Sequence, residues 1–304
     1  MRYASAVYLI AVAAVLTVSA CGRHNHGAND LNGGRDSTML NQRETRLERE
    51  LANTDSTKAA HRPIARWLLP PELTEISGLA LTPDDRLFTH NDESARISEV
   101  DYRRGIIVKH FYAGEKDLRG DFESITFGDN RFFLMTSNGM IYEFPEGQPG
   151  ERVDCTVYDT HLGAECEFEG MVYDPKSGGL ILSCKNVGKK KDRDQLVLYR
   201  YKPGGDGDIS EITIPQHDVI GKNPWKQVRP TDITIDPGSG NFVLVAAQEK
   251  ALIELTPDAR VVFARPLEGT HPQAEGVAIT HDHILIVSDE GAGSAGSITL
   301  YRWP

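Results

Sequence analysis

A seven-residue motif returns five times along this chain, and the recurrence restricts the fold more than any other feature. The copies are Glu75–Leu81 (EISGLAL), Asp121–Phe127 (DFESITF), Glu167–Tyr173 (EFEGMVY), Arg229–Ile235 (RPTDITI) and Gln273–Ile279 (QAEGVAI). A turn rich in Asp, Pro, Gly and Asn follows each: TPDDR, GDNR, DPKSGG, DPGSGN and THDH. Each turn leads into a second apolar run (LFTH, FFLM, LILS, FVLV, ILIV). A third run follows (ISEV, MIYEF, LVLYRY, ALIEL, SITLYRW). Strand, turn, strand, turn, strand at a repeat of roughly 46 to 60 residues describes a propeller blade. Apolar runs bounded by turn residues suit strands buried on both faces between neighbouring blades.

A fourth, outer strand is expected in four blades: residues 105–111, 152–157, 209–214 and 260–264. The fifth blade has none before the chain reaches Pro304, whereas Pro63–Leu69 precedes the first blade as an orphan strand. Placing the orphan at the outside of the last blade closes the ring and removes an open edge. The expectation is therefore an all-β, five-bladed β-propeller over residues 62–304. A six-bladed ring is the alternative, with residues 202–228 as the place for a degenerate blade.

Ahead of the repeats, Met1-Arg2-Tyr3 is a short basic start, and Ala4–Val18 is apolar and uncharged. That run is short for a transmembrane helix, which needs ~20 residues, but has the size of a signal-peptide core. Val18-Ser19-Ala20-Cys21 resembles the lipobox of bacterial lipoproteins. This implies a signal peptide over 1–20, lipid on Cys21, and a protein anchored to a membrane of the cell envelope. Gly22 rather than Asp after the cysteine favours the outer membrane, facing the periplasm. Residues 21–61 read as a disordered tether, because so few large apolar side chains cannot offset the entropy of ordering. Within it Leu40, Leu47 and Leu51 share one helical face among alternating charges, a short helix at most and more simply a solvated stretch. His24 and His26 in the tether form no convincing metal pair.

The formal charge is −11; Arg2 contributes +1 to the leader, and residues 22–61 balance six basic against six acidic groups, leaving −12 for the remainder. A nucleic-acid partner is excluded on that balance, since phosphate contacts need a basic surface. Cations or cationic partners suit it. Cys155, Cys166 and Cys184 allow one disulfide with one thiol left over, and spacing does not choose the pair.

In a propeller the first strand of each blade lines the central channel, and the end of the second returns to the same mouth. Pairing across the turns places Ser77 near Asn91 and Asp92, Glu169 near Lys185, and Glu275 near Asp289. One mouth should thus collect Glu123, Glu169 and Glu275 as candidate metal ligands. Asp92, Lys185 and Asp289 line its pocket, and Ser77 and Thr231 complete the ring. Two carboxylates ~5 Å apart repel by roughly 3 kcal/mol at an effective dielectric of 20, so three need a counter-charge. A hard cation with oxygen ligands supplies it, calcium before magnesium. Internal ion pairs from Lys185 and Arg229 are the other solution.

The Asp/Glu-x-Glu-Gly/Ser-apolar repeat, the run His90-Asn91-Asp92-Glu93 and the late Val287-Ser288-Asp289-Glu290 resemble the SdiA-regulated, YjiK-like proteins. These are bacterial envelope propellers distantly similar to NHL-repeat proteins. The resemblance covers residues 65–304. It implies a five-bladed propeller with bound calcium and no established reaction. A looser similarity reaches the esterase-like phytase propellers. Two function classes follow. One is a binding or scaffold module that engages a protein or sugar at one face. The other is a metal-dependent hydrolase of a phosphoester or lactone, with an acidic base and His90 as helper. Binding is favoured. The chain has no Gly-x-Ser-x-Gly and no His-Glu-x-x-His, and few basic residues to hold phosphate beyond Lys185, Arg229 and the run Lys189-Lys190-Lys191.

Overall fold

Consecutive left-handed residues, Asp129 (φ 50°) and Asn130 (φ 58°), sit at the tip of the GDNR turn. Asp and Asn tolerate that conformation, and two such residues fit the tight hairpin that joins the first two strands of a blade. The computed structural model describes residues 29–116, 118–188, 192–204 and 209–304, with side chains from residue 37. Cys21, His24, His26 and Lys189–Lys191 lie outside the described residues. The chain divides into two units, Met1–Met39 and Leu40–Pro304; of the first, helical backbone from Asn29 is described.

Helix α1 (Asn29–Asn53) precedes strand β1 (Pro63–Leu68). The first blade holds β2 (Ile76–Leu81), β3 (Leu87–Asn91), β4 (Ser94–Asp101) and β5 (Ile106–Ala113). Next come β6 (Phe122–Gly128), β7 (Arg131–Thr136), β8 (Met140–Phe144), β9 (Arg152–Val153) and β10 (Thr156–Asp159). The third blade comprises β11 (Cys166–Asp174), β12 (Gly179–Val187), β13 (Gln195–Tyr201) and β14 (Ile209–Pro215), followed by the short α2 (Gln216–Ile220). The fourth comprises β15 (Asp232–Ile235), β16 (Phe242–Ala246), β17 (Ala251–Leu255) and β18 (Val261–Pro266). Finally β19 (Ala274–Ile279), β20 (Ile284–Asp289) and β21 (Ser297–Arg302) build the fifth, with β1 antiparallel to β21 as its outer strand.

The architecture is a five-bladed propeller closed by the orphan strand. Residues 209–215 are the outer strand of the third blade, so the stretch reserved for a sixth blade holds none. Burial falls from the axis outward: every residue of β16 is buried, whereas outer strands β5, β14 and β18 are mostly half-exposed. The core is correspondingly divided into five apolar clusters, one between each pair of neighbouring blades.

Two expectations are corrected. Residues 152–157 are not one outer strand of the second blade. Arg152 and Val153 run parallel to β5 of the first blade and cover its open edge, and only Thr156–Asp159 pairs with β8. An uncovered edge strand is open to pairing with another chain, and the detour removes that liability. The stretch Leu40–Leu51 is not a solvated tether either. It is helical, and Leu47 is fully buried against Ile64, Trp67, Leu69 and Tyr102 at the seam between the first and last blades. Around it Arg43 stacks over the Trp67 ring at 5.3 Å and donates to the Arg104 carbonyl at 2.7 Å, and Glu44 pairs with Arg104 at 2.6 Å.

Candidate functional site

Each inner strand except β15 carries a register break at the motif's acidic or serine position. Pairing skips Ser77 and Gly78 in the first blade, Glu123 in the second, Glu169 in the third and Glu275 in the fifth. A bulge leaves its extra residue without a cross-strand partner and re-aims its side chain. The repeated glutamate is therefore the bulge residue, which is how three blades turn it to one mouth. In the fourth blade Asp232 pairs regularly with Val245, and Thr231 spends its hydroxyl on the Ala274 carbonyl at 2.5 Å.

Glu169 is 3% exposed and its Oε1 accepts a hydrogen bond from Lys185 Nζ at 2.7 Å. Burial raises its pKa, against the opposing pull of Lys185. Glu123 is pushed up to about 9, first by burial and then by the charges of Glu169 and Asp121. Glu275 is pushed up to about 8 by burial and by Glu169, with Lys185 opposing. Burial works against the charge of Lys185, but Glu169, Glu275 and Glu123 outweigh it and hold its pKa above the ordinary value. The three glutamates and the lysine are thus one electrostatic unit. Beside it a pocket of about 270 Å³ opens between Lys185, Arg229, Thr231, Gln273 and Glu275.

Asp92 joins the rim, partly exposed, with its Oδ1 buried and unpartnered. Burial, then Glu93 and Asp121, raise its pKa. Asp289 does not join it. Asn91, Cys184 and Asp289 pair with the second residue of their motifs, so the mouth positions that follow are Asp92, Lys185 and Glu290. The expectation was displaced by one residue, and one residue turns a side chain to the other face. Asp289 shares its face with Leu285 and Val287, which pack toward the fourth blade. It is fully buried, and its Oδ2 lies 2.8 Å from His271 Nδ1. His271 continues to the Tyr301 hydroxyl, which donates to the Glu268 carbonyl. Glu290 takes the mouth position, bonded by Gln273, its pKa raised by burial and by Asp92 and Glu75.

Asp232 was missed as a functional position. Its carboxylate is buried on the propeller axis, accepting from Ser124 Oγ at 3.1 Å and from the Val277 amide at 2.8 Å. Burial raises its pKa well above the usual range. The signal was present: the other four motifs carry Gly78, Ser124, Gly170 and Gly276 there. A Cβ on Gly170 would come within 2.8 Å of the Asp232 Cα.

Arg229 is committed to Glu249, at 3.4 Å, rather than to the glutamate cluster. His90 is fully buried, bonds the Asn91 carbonyl through Nδ1 at 3.0 Å, and is lowered to about 4 by burial. It stays neutral and does not reach the mouth. Cys166 and Cys184 form the disulfide, Cα atoms 5.6 Å apart, and Cys155 is free with its thiol pushed up to about 11 by burial.

The donors at the mouth are carboxylate oxygens, the right chemistry for a hard cation. Among the described residues no three His, Cys, Asp or Glu side chains are grouped to hold a metal, and Lys185 supplies the counter-charge at Glu169.

Fold and site together define a five-bladed β-propeller with an acidic channel mouth, an architecture suited to binding or scaffolding. No family model and no curated protein matches the chain. Solved structures do. Glutaminyl cyclase from Myxococcus xanthus is 13% identical with a TM-score of 0.52, over 80% of this chain and 97% of that one. The PQQ-bound aldose sugar dehydrogenase from Streptomyces coelicolor is 13% identical with a TM-score of 0.48, over 80% and 97%. Virginiamycin B lyase from Staphylococcus aureus is 17% identical with a TM-score of 0.43, over 77% and 68%. At such identities the likeness concerns the fold alone.

Proposed function

We propose that this chain is an SdiA-regulated-type binding propeller of the cell envelope, lipid-anchored through Cys21, whose acidic mouth takes a cationic group. The ligand is calcium or the basic group of a protein or sugar. One observation supports this best: Glu123, Glu169 and Glu275 share the mouth with one neutralising lysine, Lys185, among the described residues. Burial, and then the charge of Glu169, push Glu123 up to about 9 and Glu275 up to about 8, so both keep their protons at neutral pH. A cation that enters displaces those protons, so binding strengthens as pH rises. The hydrolase alternative lacks its helper, because His90 is buried away from the mouth.

Thermal melts with calcium test the cation. At pH 8 saturating calcium should raise Tm by roughly 5–10 °C by mass action, with a smaller rise at pH 6 and with magnesium. Glu275→Gln should remove most of the effect. A Tm indifferent to calcium and to chelator at both pH values would reject calcium as the ligand. For the anchor, Cys21→Ala should move the protein from the membrane to the soluble fraction or leave it unprocessed. Unchanged, detergent-dependent membrane association would contradict lipidation.

A further inference from the structure

The seventh residue of every repeat is the last or next-to-last of its inner strand, at the opposite end of the channel from the glutamates. These residues, Leu81, Phe127, Tyr173, Ile235 and Ile279, wall a pocket of about 380 Å³ that all five blades share. Its rim is built from the turns that follow the motifs, including Pro83, Pro175 and Pro237. The floor is Leu79, Met171 and Ile233, packed around the buried Asp232, so the axis separates this pocket from the acidic mouth. Leu81, Phe127, Tyr173 and Ile235 are only partly buried, although they are as apolar as the core. Tyr173 is held in orientation by parallel stacking on Phe133, ring centroids 6.2 Å apart.

A concave, mostly apolar cavity in the range of ~300–1,000 Å³ with a few polar groups is the usual form of a small-molecule site. The rim charge selects the ligand. Asp85 is engaged by His281, at 2.9 Å, whereas Asp129 lines the pocket, is exposed, and has no hydrogen bond or ion pair among the described residues. We propose that this second mouth binds a small ligand with a flat apolar body and one cationic group, the body against Phe127 and Tyr173 and the charge toward Asp129. It is a site separate from the glutamate mouth.

Proflavine, a planar tricyclic cation, is the probe, titrated against the full chain by fluorescence and calorimetry. One saturable site is expected. Ile235→Arg should weaken binding by at least about tenfold, and Asp129→Asn by up to about fivefold at low salt. Glu275→Gln should leave it unchanged. The anionic 1-anilinonaphthalene-8-sulfonate should bind at least about tenfold more weakly than proflavine. Leu81→Arg, checked by its melting temperature, repeats the test should Ile235→Arg not fold. Binding that is absent, unaffected by a folded wall variant, or abolished by Glu275→Gln would overturn the proposal. Equal affinity for the anionic probe would overturn its charge preference.

Discussion

Glu275 keeps its proton to about pH 8 in the folded protein, whereas an unperturbed glutamate loses it near 4.5. The folded state therefore binds more protons than the unfolded chain between those values, and stability falls with rising pH across that window. The favourable contribution is complete below 4.5 and lost above about 8. Glu275→Gln removes this dependence, so the variant's Tm should decline less than wild type between pH 5 and pH 9 and should exceed it at pH 9. Parallel melting curves would show that Glu275 titrates normally. The glutamates themselves were legible in the sequence as the third position of a repeat. Glu290 was not, because the bulge at Glu275 shifts the register by one and exchanges it with Asp289. Nothing in strand alternation announces a bulge before the pairing is known.

At the scale of elements, closure is made twice. Strand β1 completes the fifth blade through its pairing with β21, and residues 40–53 of α1 lie over the same seam through Leu47. The first was legible as a count: five triplets of strands and one orphan. The second was not, since one leucine among charges in a polar stretch is indistinguishable from a solvated helix until its receptacle exists. Trp67 and Leu69 supply that receptacle from one stretch of the sequence and Tyr102 from another. Leu47→Ala should cost about 2–3 kcal/mol of docking. Hydrogen exchange would read this as roughly 30- to 150-fold faster exchange for amides 43–51, with the blade strands unchanged. Protection equal to wild type would show that the charged contacts of Arg43 and Glu44 hold the helix without Leu47.

For the whole molecule, the axis is a ring of inter-blade hydrogen bonds rather than an open pore. Ser77 donates to the Glu123 carbonyl, the Met171 amide to Ser124, and Ser288 to the Ser77 carbonyl. Asp232 bridges Ser124 and Val277 from within, while Gly170 lets the third blade approach the fourth. This ring fixes the bulges, and the bulges hold Glu123, Glu169 and Glu275 together against one lysine. Ring symmetry made that convergence legible. The balance of charge within it depended on which face each neighbour took. The most direct measurement is a carbon-13 NMR titration of the glutamate side-chain carboxyls, assigned with Glu123→Gln and Glu275→Gln. The account predicts two carboxyls titrating near 9 and 8, both displaced downward by a bound cation. Glutamates that all titrate below pH 6 without added cation would contradict it.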